Sequence, residues 1–139
     1  MKIILASKSG VRKQILEKNK VDCDVIVSNV DEDEIKASLL LEGADPLSIS
    51  KNLAEIKSIK VSNNNPDRLV LGADSVISLS NELINKPKTR DEALEILKKL
   101  NNSIHYLISS VCISKNGAMV WNYSTFLKYR MPHCDFLVY

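Results

Sequence analysis

Residues 69–79, LVLGADSVISL, are apolar at odd and even positions alike. A strand that avoids water on both faces belongs in the middle of a sheet, not at its rim. Gly72, Asp74 and Ser75 interrupt this run. A carboxylate in such a setting is costly unless it is paired, hydrogen-bonded or metal-bound. From the residues alone, three roles for Asp74 stay open. It can ligate Mg²⁺, which prefers oxygen donors; it can take a proton from water; or it can be a turn residue bonded to nearby backbone N–H groups.

The flanking segments supply partners for such a strand. KIILAS at 2–7 reads as a short buried strand and VDCDVIVS at 21–28 as another. Between them, SGVRKQILEKN has Ser9 in the N-cap position and places Val11, Ile15 and Leu16 on one helical face. The acidic run Asp31, Glu32, Asp33 and Glu34 leads into a weaker helical segment. Asp45-Pro46 opens a stronger helix, with Leu47, Ile49, Leu53 and Ile56 at helical spacing to about residue 61. SNNNPD at 62–67 reads as a loop and ELIN after Asn81 as a short strand. Thr89 and Glu92 fit a capping box before a helix through Leu94, Leu97 and Leu100. Residues 104–114 and 118–130 form a β-hairpin around Lys115-Asn116-Gly117. The order β-α-β-α-β-(β)-α-β-β describes an α/β protein, and 139 residues suit one domain spanning 1–139.

Charge and rare residues exclude several function classes. Nineteen Lys and Arg against 17 Asp and Glu leave +2, too little to argue for nucleic acid. Trp121, Tyr123, Phe126 and Tyr129, interleaved with Lys128 and Arg130, are therefore expected to serve core and edge packing. Two His and three Cys cannot furnish a four-ligand zinc cluster with ordinary spacing. The odd set Cys23, Cys112 and Cys134 suits a reducing cytoplasm. No run approaches the roughly 20 apolar residues that cross a bilayer, so no membrane partner is expected.

Three groups of residues can carry chemistry. Ser7, Lys8, Ser9, Gly10 and Arg12 lie where a strand enters a helix. They form either a phosphate cradle of N–H groups, hydroxyls and cations, or a plain helix cap with solvated cations. Asp74 and Glu32 supply carboxylates, while the other acids of 31–34 are expected on a solvated face. Lys57 and Lys86 come from separate elements and can neutralise a polyphosphate, whereas Lys88 is expected to point to water. His105, sharing a strand with Ser109, reads as a hydrogen-bonded structural histidine.

The segments together resemble the Maf family. ILASKSGVRKQIL is similar to the family's LASxSPRRxxLL, with Gly10 in place of its proline and Val11 in place of its first arginine. VSNVDEDE, NLAEIKS, LGADSVI, INKPKTRDEA and IHYLISSVCI follow in the family's order over roughly residues 3–113. The resemblance implies a mixed-sheet fold like that of the inosine triphosphate pyrophosphatases, with the site in a central cleft. It implies hydrolysis of a nucleoside triphosphate to the monophosphate and pyrophosphate with Mg²⁺ or Mn²⁺. The substrates would be dTTP, UTP or a modified nucleotide such as 7-methyl-GTP. Asp74, Glu32, Lys57 and Lys86 would be its catalytic set, with Asp74 and Glu32 at the metal. Ser7, Ser9 and Arg12 would hold phosphate. A homodimer is among the states it implies. Family members continue past the last motif matched here, so the chain is expected to be C-terminally shortened. The alternative is a catalytically weak or inactive nucleotide-binding relative.

Overall fold

A computed structural model describes residues 2–135. In chain order the elements are β1 (Ile3–Leu5), α1 (Gly10–Lys18), β2 (Cys23–Val25), α2 (Glu32–Leu41), α3 (Pro46–Asn63), β3 (Val70–Leu79), β4 (Glu82–Ile84), α4 (Arg90–Leu100), β5 (Ile104–Lys115) and β6 (Ala118–Arg130). The strands form one mixed sheet in the order β2-β1-β3-β5-β6, with β4 on β3. β1 runs parallel to β2 and β3, whereas β4, β5 and β6 add antiparallel pairings. The apolar run at 70–79 is indeed central.

Its two neighbours on one edge leave a gap. β1 pairs with β3 only at Val70 and Leu71, and β4 joins the same edge at Ile77. Among the described residues, only β5 pairs with β3 along Gly72–Val76, on the other edge. Asp74 stands at the centre of that gap.

Helix α3 covers one face of β3 and β5. Asp45 caps it by accepting from Ser48 N at 2.8 Å, and Pro46 occupies its first turn. Its sheet-facing side buries Ser50, Ala54, Ser58 and Ser62, spaced one helical turn apart, beside Ile49, Leu53 and Val61. Small side chains let the helix lie close to the sheet. Three of the hydroxyls bond to it: Ser50 Oγ donates to the Asp74 carbonyl, Ser58 Oγ meets Ser114 Oγ at 2.7 Å, and Ser62 Oγ accepts from Gly117 N. The hairpin turn is the expected one, with Asn116 and Gly117 both at positive φ.

Several boundaries differ from the sequence reading. β1 and β2 are three residues each, because the chain turns at Ser7 toward α1 and peels away after Val25. Asn29 takes a left-handed conformation (φ 54°) in the second departure, and its carbonyl accepts from Lys60 Nζ of α3. At α4, Thr89 accepts from Glu92 N, but the Glu92 carboxylate returns to Lys88 N instead of the Thr89 N–H. The apolar face of α1 is uncovered among the described residues: Val11 and Ile15 are 66% and 54% exposed. The β6 aromatics lie at the sheet edge and not in the core. Trp121, Tyr123, Phe126 and Tyr129 are all exposed, since α3 sits over β3 and β5.

Candidate active site

The gap in the sheet opens into a cavity of about 320 Å³. Ser7, Ser9 and Arg12 reach it from the β1–α1 turn, Glu32 from the start of α2, Lys57 from α3, Asp74 from β3 and Lys86 from the loop before α4. The seven residues that the Maf resemblance assigns to the site therefore meet at one place, and Lys8 lines it beside them.

The turn is built from its own side chains. Ser9 Oγ caps α1 by accepting from Arg12 N at 3.2 Å. Ser7 Oγ accepts from Ser9 N at 3.2 Å and from the Arg12 guanidinium at 3.0 Å. The helix-cap part of the sequence reading holds for Ser9, and the same turn presents a cation and hydroxyls to the cavity. Such a helix N-terminus favours anions.

Lys57 bridges the two carboxylates. Its Nζ pairs with Glu32 Oε1, lies 3.3 Å from Asp74 Oδ1 and donates to the Ala73 carbonyl at 3.2 Å. Asp74 is only 7% exposed, and its second oxygen, Oδ2, is buried without a hydrogen-bond partner among the described residues. Burial pushes the Asp74 carboxyl above its ordinary value, against the opposing pull of Lys57 and Lys36. At Glu32 burial also acts upward, but the Lys57 hydrogen bond and the charges of Lys57, Lys36 and Lys86 outweigh it. Its carboxyl is held below the usual range. Lys57 favours ionisation of both acids, so it is the burial of Asp74 that leaves one acid resisting ionisation and the other favouring it. Neighbouring carboxylates split in this way suit acid–base work.

The rest of the candidate set falls elsewhere. Asp31, Asp33 and Glu34 face solvent, with Asp31 capping α2 through Glu34 N. Lys88 is exposed, as expected. His105 does not bond to Ser109: Ser109 pairs with Ser75, and the buried imidazole stacks on Tyr129 at 5.5 Å, its Nδ1 without a hydrogen-bond partner among the described residues. Ser28 and Asn29 line the cavity although the sequence reading placed residue 28 in a strand. Asn at a strand end was the available signal, since Asn tolerates the left-handed turn found there. Ser50, which holds the Asp74 carbonyl, carries no signal in an ordinary helical pattern.

A family model described as "Maf-like protein" matches residues 2–134. The chain belongs to the Maf family. A curated relative from Pelagibacter ubique, named nucleoside triphosphate pyrophosphatase, is 56% identical over 97% of this chain and 69% of its own length. One of the same name from Ruegeria pomeroyi is 40% identical over 93% of this chain and 65% of its own length. A Brucella abortus relative named 7-methyl-GTP pyrophosphatase is 32% identical, over 97% of this chain and 68% of its own length. This Maf chain thus spans about two thirds of the length of these relatives. Among solved structures, a HAM1 protein from Coxiella burnetii shares the fold with a TM-score of 0.59 at 15% identity, over 94% of this chain and 72% of that one. A dITP/XTP pyrophosphatase from Mycobacterium abscessus gives 0.55 at 12% identity, covering 94% and 74%. The mixed-sheet architecture expected from the Maf motifs is therefore the one observed. No helix among the described residues is long and apolar enough to cross a membrane.

Proposed function

We propose that this Maf-family chain hydrolyses a nucleoside triphosphate to the monophosphate and pyrophosphate. One observation carries the reading: a buried carboxylate with a free oxygen, Asp74, shares a cavity with a serine–arginine turn and with Lys86. The names of its relatives support the same activity. In this reading Arg12, Ser7 and Ser9 receive the phosphate chain at the α1 N-terminus. Lys86 and Lys57 offset the charge that builds on phosphate oxygens as water attacks. Asp74 orients that water and accepts its proton, a role that a pKa above the ordinary carboxylate value favours. Relatives named 7-methyl-GTP pyrophosphatase keep modified purines beside dTTP and UTP as candidate substrates.

A divalent ion, Mg²⁺ or Mn²⁺, fits the donor set. Asp74 Oδ2 is unpartnered and Glu32 is half-open to the cavity. No group of three His, Cys, Asp or Glu gathers among the described residues. An ion here would be held by one or two carboxylates and completed by water and substrate phosphates. When bound, it would supply Lewis-acid stabilisation of phosphate charge. The reading also takes the protein as cytoplasmic, where its substrates are, and as a homodimer, which light scattering tests.

The deciding experiment incubates the protein with dTTP, UTP, 7-methyl-GTP and the common triphosphates, with Mg²⁺ or Mn²⁺, and reads pyrophosphate release. Release that disappears in Asp74→Asn is expected. No release from any of them would refute the proposal.

A further inference from the structure

Gly72 is not at a positive φ, so backbone freedom does not explain it. Space does. A Cβ built on Gly72 would run into the Ala54 carbonyl oxygen and would stand 2.9 Å from Ser58 N and 3.0 Å from Ser58 Cβ. Two of these three neighbours are backbone atoms of α3, and no side-chain rotation relieves them. Gly72 and Asp74 are two apart on one strand and face the same helix. On that helix, Lys57 lies between Ala54 and Ser58. The Lys57 bonds to Ala73 O and Asp74 Oδ1, at 3.2 and 3.3 Å, already lie at the long end of the hydrogen-bond range.

We propose that Gly72 is a positioning residue: by letting the α3 backbone rest directly on β3, it sets the reach of Lys57 to Asp74. The inference deepens the hydrolase reading and rests on it for its consequence in catalysis. Clearing Ser58 N alone from 2.9 Å to an ordinary 3.4 Å contact requires about half an ångström of separation, and the Ala54 oxygen requires more. That movement carries the base of Lys57 away from the sheet. The ammonium then stays with Glu32 on α2, and Asp74 loses its cation. Ser58 marks the same spacing from the helix side, since its hydroxyl fits between Ser114 Oγ and Cys112 Sγ at 2.7 and 3.3 Å.

The test compares Gly72→Ala, Ser58→Val and Ser58→Ala in the full chain. The first two widen the helix–strand spacing; the third removes a hydroxyl but keeps the spacing. Two quantities are read. One is steady-state triphosphate turnover, with kcat and KM separated. The other is the Lys57–Asp74 coupling, from a double-mutant cycle of Lys57→Met and Asp74→Asn on urea midpoints, run in each background. Expected are a kcat at least tenfold lower with KM within threefold, and a coupling less than half that of the wild type, in Gly72→Ala and Ser58→Val but not in Ser58→Ala. If Gly72→Ala does not fold, Ser58→Val decides. A folded widening variant with wild-type coupling overturns the proposal, as does Ser58→Ala losing as much as Ser58→Val. The coupling is readable without catalysis. A wild type that turns over no triphosphate therefore sinks the hydrolase reading and leaves this test standing.

Discussion

Lys57→Met isolates the cation on which the site is built. Methionine keeps most of the aliphatic stem, so the change removes charge more than packing. The Lys57 and Asp74 side chains are 10% and 9% exposed, and taking one partner from so buried a pair costs about 3–5 kcal/mol. Glu32, 41% exposed, adds at most about 1 kcal/mol. Asp74 has an escape, because it can take up a proton. Keeping a carboxyl neutral in the folded state costs about 1.4 kcal/mol for each pH unit above its ordinary value of 3.8. That route caps the loss at about 4 kcal/mol at pH 7 and below about 2 kcal/mol at pH 5. The sign follows from the direction of the shift. A carboxyl whose folded pKa lies above its unfolded one binds protons better when folded, so stability falls as pH rises. The expected destabilisation is thus about 3 kcal/mol at pH 7 and about 1 kcal/mol at pH 5. Urea titrations followed by far-UV circular dichroism at both pH values measure it. Adding Asp74→Asn to Lys57→Met should restore most of the loss at pH 7. A variant within 0.5 kcal/mol of wild type at pH 7, a threshold of about the usual surface-substitution range, refutes the reasoning. So does an equal loss at both pH values.

Arg12→Ala removes the charged donor tied to Ser7 Oγ. Losing a charged hydrogen bond of about 1.5–3 kcal/mol should raise the triphosphate KM about 10- to 100-fold with little change in kcat. Asp74→Asn should abolish turnover, and its stability should fall less than that of the wild type as pH rises, because the carboxylate that burial makes costly to ionise is gone. In the native protein the acid limb of kcat/KM should lie above the ordinary carboxylate range, as a pH–rate profile would show. Gly117→Ala forces an L side chain to φ +79° and against Asn63. It should cost about 1–2 kcal/mol in a urea melt while leaving KM for triphosphate unchanged.

The site was more legible in the sequence than the packing around it. Asp74 announces itself because an ionisable group inside an apolar strand needs a reason, and Ser9 and Asp45 because helix starts leave N–H groups to be satisfied. These are local demands, and local residues answer them. Val11, Ile15, Trp121 and Tyr123 are different. Their apolarity shows that they suit a covered surface, but whether anything covers them depends on elements distant in sequence. Ser50 and Ser58 were silent for a related reason. A serine on a helix reads as neutral until the strand it faces is known, and only then do its bonds to the Asp74 carbonyl and to Ser114 acquire meaning.

The fold reconciles two demands that conflict along β3. An apolar run wants neighbours on both edges, whereas a carboxylate that meets a triphosphate wants an opening. The conflict is resolved at Ser7. Its hydroxyl accepts from Ser9 N and from the Arg12 guanidinium, which turns the chain out of the sheet and into α1. β1 consequently ends opposite Leu71, and among the described residues β3 has no strand on that edge until β4 arrives at Ile77. The turn that supplies the phosphate-facing groups is therefore the turn that uncovers Asp74. Were residues 6–8 to continue the ladder, they would pair along Gly72–Asp74 and close the cavity. What stops the opened strand from being flooded is α3 beneath it. The helix keeps Asp74 dry enough to raise its pKa while reaching past it with Lys57. Opening the edge and sealing the face are separate tasks, and the chain assigns them to separate elements.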